Sequence, residues 1–86
     1  MKVLYFSGSW CAPYKAFLPV VEATCNERDI EMQIVDVEVN SEFANLCNVK
    51  SVPTLIVVND TGVELFRTAG VMPATALRQT LEGLRQ

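Results

Sequence analysis

The stretch Thr54-Leu55-Ile56-Val57-Val58 constrains this chain most, because almost every position in it is apolar. A strand points successive side chains to opposite faces, so a strand without a polar face must be covered on both. The chain therefore needs a sheet with further layers above and below it. Asn59-Asp60-Thr61-Gly62 follows at once and is a turn signal. Val63 to Arg67 is expected to return from it as an antiparallel hairpin partner. A length of 86 residues reads as a single domain over residues 1–86, and the 50 % apolar content is enough for a real core.

The remaining elements follow from periodicity. Val3-Leu4-Tyr5-Phe6 is short, apolar and β-prone, and it ends at Ser7-Gly8-Ser9, so it reads as a buried strand. About Cys11 to Arg28 reads as a helix, with Phe17, Val21 and Thr24 on one stripe and Leu18 and Cys25 beside it. Pro19 inside that helix removes an amide donor and is expected to kink it. Ile30 to Val37 reads as a strand, with Ile30, Met32 and Ile34 on one face and Val35 and Val37 on the other. Asn40 or Ser41 is expected to cap a short helix carrying Phe43, Ala44, Leu46 and Cys47. Pro73 opens a last helix on which Leu77, Leu81 and Leu84 form an apolar stripe. Phe17, Phe43 and Phe66 are expected in the core.

The order is then β-α-β-α-β-β-α. Two strands joined by a helix are expected to be parallel with a right-handed crossover, and the last two antiparallel. The fold class is α/β, a mixed four-stranded sheet flanked by helices on both faces.

Composition removes several function classes. The net charge of −3 argues against direct nucleic-acid binding, which calls for a basic patch. No apolar run approaches the ~20 residues of a membrane span. The amino-terminal stretch is too short for a signal peptide, so the expected location is cytoplasmic. The chain has no histidine, which removes imidazole base catalysis, Cys-His pairs and histidine metal sites. The three cysteines, Cys11, Cys25 and Cys47, form no even disulfide framework and lack zinc spacing, so free thiols and no metal or cofactor are expected. Asp36, Glu38 and Glu42 cluster in sequence, but their spacing fits no Ca²⁺ loop and reads as a solvated surface.

Two segments carry candidate chemistry. Trp10-Cys11-Ala12-Pro13 stands between the first strand and the first helix. Unsatisfied amides and the helix dipole put positive potential at such a junction. A thiolate there is stabilised and reacts at neutral pH, and Lys15 adds to the field. An isolated cysteine is more commonly a space filler. The Trp and the Ala-Pro at this junction shift the balance toward chemistry. The second segment is Ser51-Val52-Pro53-Thr54. A proline just before a buried strand is either an ordinary trans residue or a cis turn.

Taken together, Trp10-Cys11-Ala12-Pro13-Tyr14-Lys15, Pro19, Val52-Pro53-Thr54 and Gly70 resemble the thioredoxin family, and the resemblance spans nearly the whole chain. It implies that Cys11 is the exposed nucleophile and that Pro53 is cis and beside it. It also implies a substrate groove formed by Trp10, Ala12, Pro13, Val52, Pro53 and Gly70 that pairs with an extended peptide. The implied partners are protein disulfides or a partner protein, with a thioredoxin reductase or glutathione as electron source.

The departures matter as much. Family members usually carry a further strand and helix before the strand that leads to the cysteine, so the chain is expected to be a trimmed version. Tyr5 and Ser7 stand where many relatives have a buried acid and a tryptophan. Above all, Tyr14 occupies the position of the second, resolving thiol. That thiol normally releases the mixed disulfide formed by the first. Cys25 cannot replace it. On an unbroken helix it lies ~21 Å from Cys11, at ~1.5 Å per residue, whereas a disulfide needs Cα atoms within ~7 Å. A packing role is the simpler reading of Cys47. Three functions follow. The first is monothiol exchange at Cys11. The second is a redox-inactive module that binds a protein through the groove around Trp10 and Pro53. The third takes Tyr14 as a replacement in a dithiol parent.

Overall fold

A computed structural model of the chain describes residues 1–9 and 12–85, and for residues 12–14 the backbone alone. The elements are β1 (Lys2–Ser7), α1 (Ala12–Glu27), β2 (Glu31–Asp36), α2 (Ser41–Leu46), β3 (Thr54–Val58), β4 (Glu64–Ala69) and α3 (Ala74–Leu84). This is the order read from the sequence. The sheet runs β2-β1-β3-β4. β1 and β2 are parallel, from Lys2 opposite Glu31 to Ser7 opposite Asp36. β3 is antiparallel to both β1 and β4.

The hairpin between β3 and β4 is built by Asn59. Its side-chain oxygen accepts the Thr61 and Val63 amides at 3.0 and 2.9 Å and the Thr61 hydroxyl at 2.8 Å. Gly62 supplies the positive φ of 86° that closes the turn, a conformation that glycine reaches without a Cβ penalty.

Each face of the sheet has its own core. On one face Phe17, Val21 and Cys25 of α1 and Leu77 and Leu81 of α3 pack on Val3, Tyr5, Leu55 and Val57. On the other, Ala44 of α2 packs on Leu4, Phe6, Val35 and Ile56. β3 is buried on both sides because its odd and even positions feed different cores, as its unbroken apolar run requires. Pro19 lies inside α1.

Three expectations need correction. Ile34 is 50 % exposed although it shares a face with Ile30. β2 is an edge strand, so its side chains lie at the margin of the helical cover. Phe43 is on the surface, stacked on Phe6 with ring centroids 5.8 Å apart, because α2 is only six residues long and covers little of its face. Neither candidate cap works through its side chain. Asn40 occupies the N-cap position of α2 without a side-chain bond. The preceding turn is held instead by Asp36, whose carboxylate accepts the Glu38 and Val39 amides at 2.8 and 3.3 Å and whose carbonyl accepts the Asn40 amide at 2.8 Å.

Candidate functional site

α1 begins at Ala12, the residue that follows Cys11 in sequence. Trp10 and Cys11 lie outside the described residues, and so do the side chains of Ala12, Pro13 and Tyr14. Ala12, Pro13 and Tyr14 form the opening turn of the helix, and Lys15 follows them with an exposed side chain. Pro13 suits this place, since the first-turn amides have no intrahelical partner and its missing donor costs nothing there.

The second half of the candidate site is described in full. The Val52-Pro53 peptide bond is cis. Of the two readings that the local sequence leaves open, the structure takes the cis turn. Pro53 is buried, and its carbonyl accepts the Gly70 amide at 2.7 Å. Gly70 has a φ of 91°, which turns the chain out of β4. The Thr54 hydroxyl donates to the Ser51 carbonyl at 2.7 Å and closes the loop from the other side. Val52, Pro53 and Gly70 are therefore brought to one end of the central strand.

The approach to Cys11 is fastened in a way that the sequence reading missed. The Val37 amide donates to the carbonyl of Ser7, the last residue of β1, at 2.9 Å. Two residues beyond Ser7 and one beyond Val37, the Ser9 hydroxyl donates to the Glu38 carboxylate at 3.0 Å. The two residues are separated by 29 positions, and no local pattern pairs them. Glu38 and Glu42 are exposed, as the reading of a solvated surface holds, but Asp36 is half-buried and shapes the turn that carries Glu38.

Cys25 and Cys47 are free thiols. Cys25 is 1 % exposed in the α1 face of the core, and burial pushes its pKa up to about 11. It lies thirteen residues beyond Ala12 on a helix that runs to Glu27, ~20 Å along the axis at ~1.5 Å per residue. Cys47 ends α2 and packs against the core on the opposite face of the sheet. A hollow of about 710 Å³ on that face is lined by Leu4, Phe43, Leu46, Cys47 and Ile56 among others. It shares no residue with the Val52, Pro53 and Gly70 turn, so it belongs to the thin cover that α2 gives and not to the candidate site.

A mixed four-stranded sheet between helical layers, a helix opening within a Trp-Cys-Ala-Pro run and a cis proline at the head of a central strand define the thioredoxin-like fold. The comparisons agree. The family model for thioredoxin matches residues 1–83. Thioredoxin of Bacillus subtilis is 37 % identical over 76 residues, covering 86 % of this chain and 72 % of that one. A putative thioredoxin 2 of Streptomyces coelicolor is 33 % identical over 82 residues, and the chain spans only 60 % of its length. The solved thioredoxin 1 of Thermosipho africanus superposes with a TM-score of 0.88 at 29 % identity, over 96 % of this chain and 92 % of that one. The chain belongs to the thioredoxin family and provides that family's oxidoreductase scaffold. No helix of the described residues is long and apolar enough to cross a membrane.

Proposed function

We infer that the chain performs thiol-disulfide exchange through Cys11 and stops at the mixed disulfide until an outside thiol releases it. The observation that carries this reading is the sequence Trp10-Cys11-Ala12-Pro13-Tyr14 at the head of α1, on a thioredoxin-family scaffold with Val52-Pro53 cis. The free amides of the first helical turn favour the thiolate form of the cysteine just before them. Lys15, exposed on the first part of α1, adds positive charge.

The step is balanced. The Cys11 thiolate attacks one sulfur of a substrate disulfide, a new S–S bond forms, and the other substrate sulfur leaves as a thiolate. Cys11 is oxidised and the leaving sulfur is reduced. Tyr14 has no thiol with which to attack the new bond. Cys25 is held too far along α1, and its raised pKa keeps it protonated. A second, external thiol must release the adduct, and glutathione or a thioredoxin reductase is the class of partner that supplies it. The extended strand of a protein substrate would lie along Trp10, Ala12 and Pro13 on one side and Val52, Pro53 and Gly70 on the other. Residues 1–86 act as one domain, in a reducing compartment such as the cytoplasm where thiols stay free.

Tyr14 favours a second reading, a binding module that holds a partner in the same groove without turnover. Cys11→Ser separates the two. It abolishes exchange with a peptide disulfide under the first reading, and it leaves partner affinity nearly unchanged under the second. A wild-type chain whose Cys11 alkylates with a midpoint at or above the ~8.5 of a free thiol would refute the exchange reading.

A further inference from the structure

The connection from β1 to α1 is four residues long, Gly8 to Cys11, and it carries the candidate nucleophile. The end of β1 and the start of this connection are each tied to the β2–α2 turn. The Val37 amide bonds the Ser7 carbonyl at 2.9 Å, and Glu38 accepts the Ser9 hydroxyl at 3.0 Å. The turn that offers Glu38 is itself held, because the Asp36 carboxylate accepts the amides of Glu38 and Val39 at 2.8 and 3.3 Å. A carboxylate acceptor makes the Ser9 bond stronger than a neutral one. Cys11 stands two residues beyond Ser9 in the sequence, so the side chain that Glu38 grips is close along the chain to the thiol.

We propose that Glu38 is a positioning residue for Cys11, acting through Ser9 to hold the segment from which the thiolate attacks a docked peptide disulfide. The proposal rests on the exchange reading above. Exchange with a disulfide demands that the three sulfurs lie nearly in line while the peptide is held by other parts of the protein. Attack therefore depends on where the segment is held as well as on how much thiolate is present. A small alkylating reagent approaches from any direction and makes no such demand.

The test compares wild type with Ser9→Ala, Glu38→Ala, Glu38→Gln and the double variant Ser9→Ala/Glu38→Ala, at one fixed pH. Two rates are read by mass spectrometry: mixed-disulfide formation at Cys11 with a peptide disulfide, and alkylation of Cys11 by iodoacetamide. The expected result is an exchange rate about fivefold lower in Ser9→Ala and in Glu38→Ala, the scale of one typical net hydrogen bond. The double variant is no slower than either single one. Glu38→Gln, which keeps an acceptor oxygen, recovers most of the rate. Alkylation stays within about twofold of wild type throughout, since the thiolate population is not what changes.

Exchange at the wild-type rate in both alanine variants overturns the proposal. So does an additive double variant, a Glu38→Gln as slow as Glu38→Ala, or an equal fall in both rates. A wild-type Cys11 that forms no mixed disulfide at all overturns the exchange reading itself, and the positioning role with it.

Discussion

Cys25 offers a quantitative check on the core that carries the site. It is 1 % exposed, among Phe17, Val21, Leu77 and Leu81, and burial raises its pKa from 9.0 to about 11. The native state therefore keeps a proton that the unfolded chain gives up at lower pH. The stability tied to that proton is fully present below about pH 9 and is lost as pH climbs toward 11. Two units of difference correspond to about 3 kcal/mol in full, and to about half of that at pH 10, midway through the window. The assay is urea unfolding of wild type and Cys25→Ala at steps between pH 7 and pH 10.5. Taking the difference between the two proteins cancels every other titrating group. Wild type is expected to be the more stable at pH 7, through the packing of the sulfur, and to lose that lead as pH rises. Native-state alkylation gives a parallel reading: at pH 8 a thiol with a pKa near 11 is ~0.1 % ionised, so Cys25 labels ~100-fold more slowly than a free thiol of pKa 9 even before access is considered. A difference in stability that stays flat across the pH range, or Cys25 labelling as fast as Cys47 in the native protein, would refute the reasoning.

Three further outcomes follow. Leu77→Ala removes a fully buried side chain between α3 and the sheet and is expected to cost about 2–5 kcal/mol in chemical denaturation, with Cys25 becoming easier to label. Gly70→Ala finds open space for its Cβ but must adopt a φ of 91°, so calorimetry is expected to register a loss of about 1–2 kcal/mol; an unchanged melting temperature would mean that the turn relaxes freely. Tyr14→Cys places a thiol three residues after Cys11 and is expected to form an internal disulfide on oxidation and to turn over with a dithiol reductant; mass spectrometry that finds no 11–14 linkage counts against a thioredoxin-type arrangement at the head of α1.

The sequence by itself determined the elements, their order and the class of fold. Its strongest signals were local: the unbroken apolar run of β3, the Asn59-to-Gly62 turn, the stripe Phe17, Val21 and Thr24 on α1, and Leu77 and Leu81 on α3. Each follows from a period or a turn chemistry that a few neighbouring residues fix alone. The Trp-Cys-Ala-Pro run and the Val-Pro-Thr run were equally legible as motifs. The tertiary structure decided what depends on residues far apart in the chain. Strand order made β2 an edge and exposed Ile34, against its own periodicity. The brevity of α2 left Phe43 on the surface while Ala44 filled the core. The peptide bond before Pro53 took the cis form, where the local residues allowed either. The bond between Ser9 and Glu38 could not be read in advance, because it joins the ends of two parallel strands that only the sheet brings side by side. Periodicity reports which face a side chain prefers, and only the packed sheet determines which partner waits there.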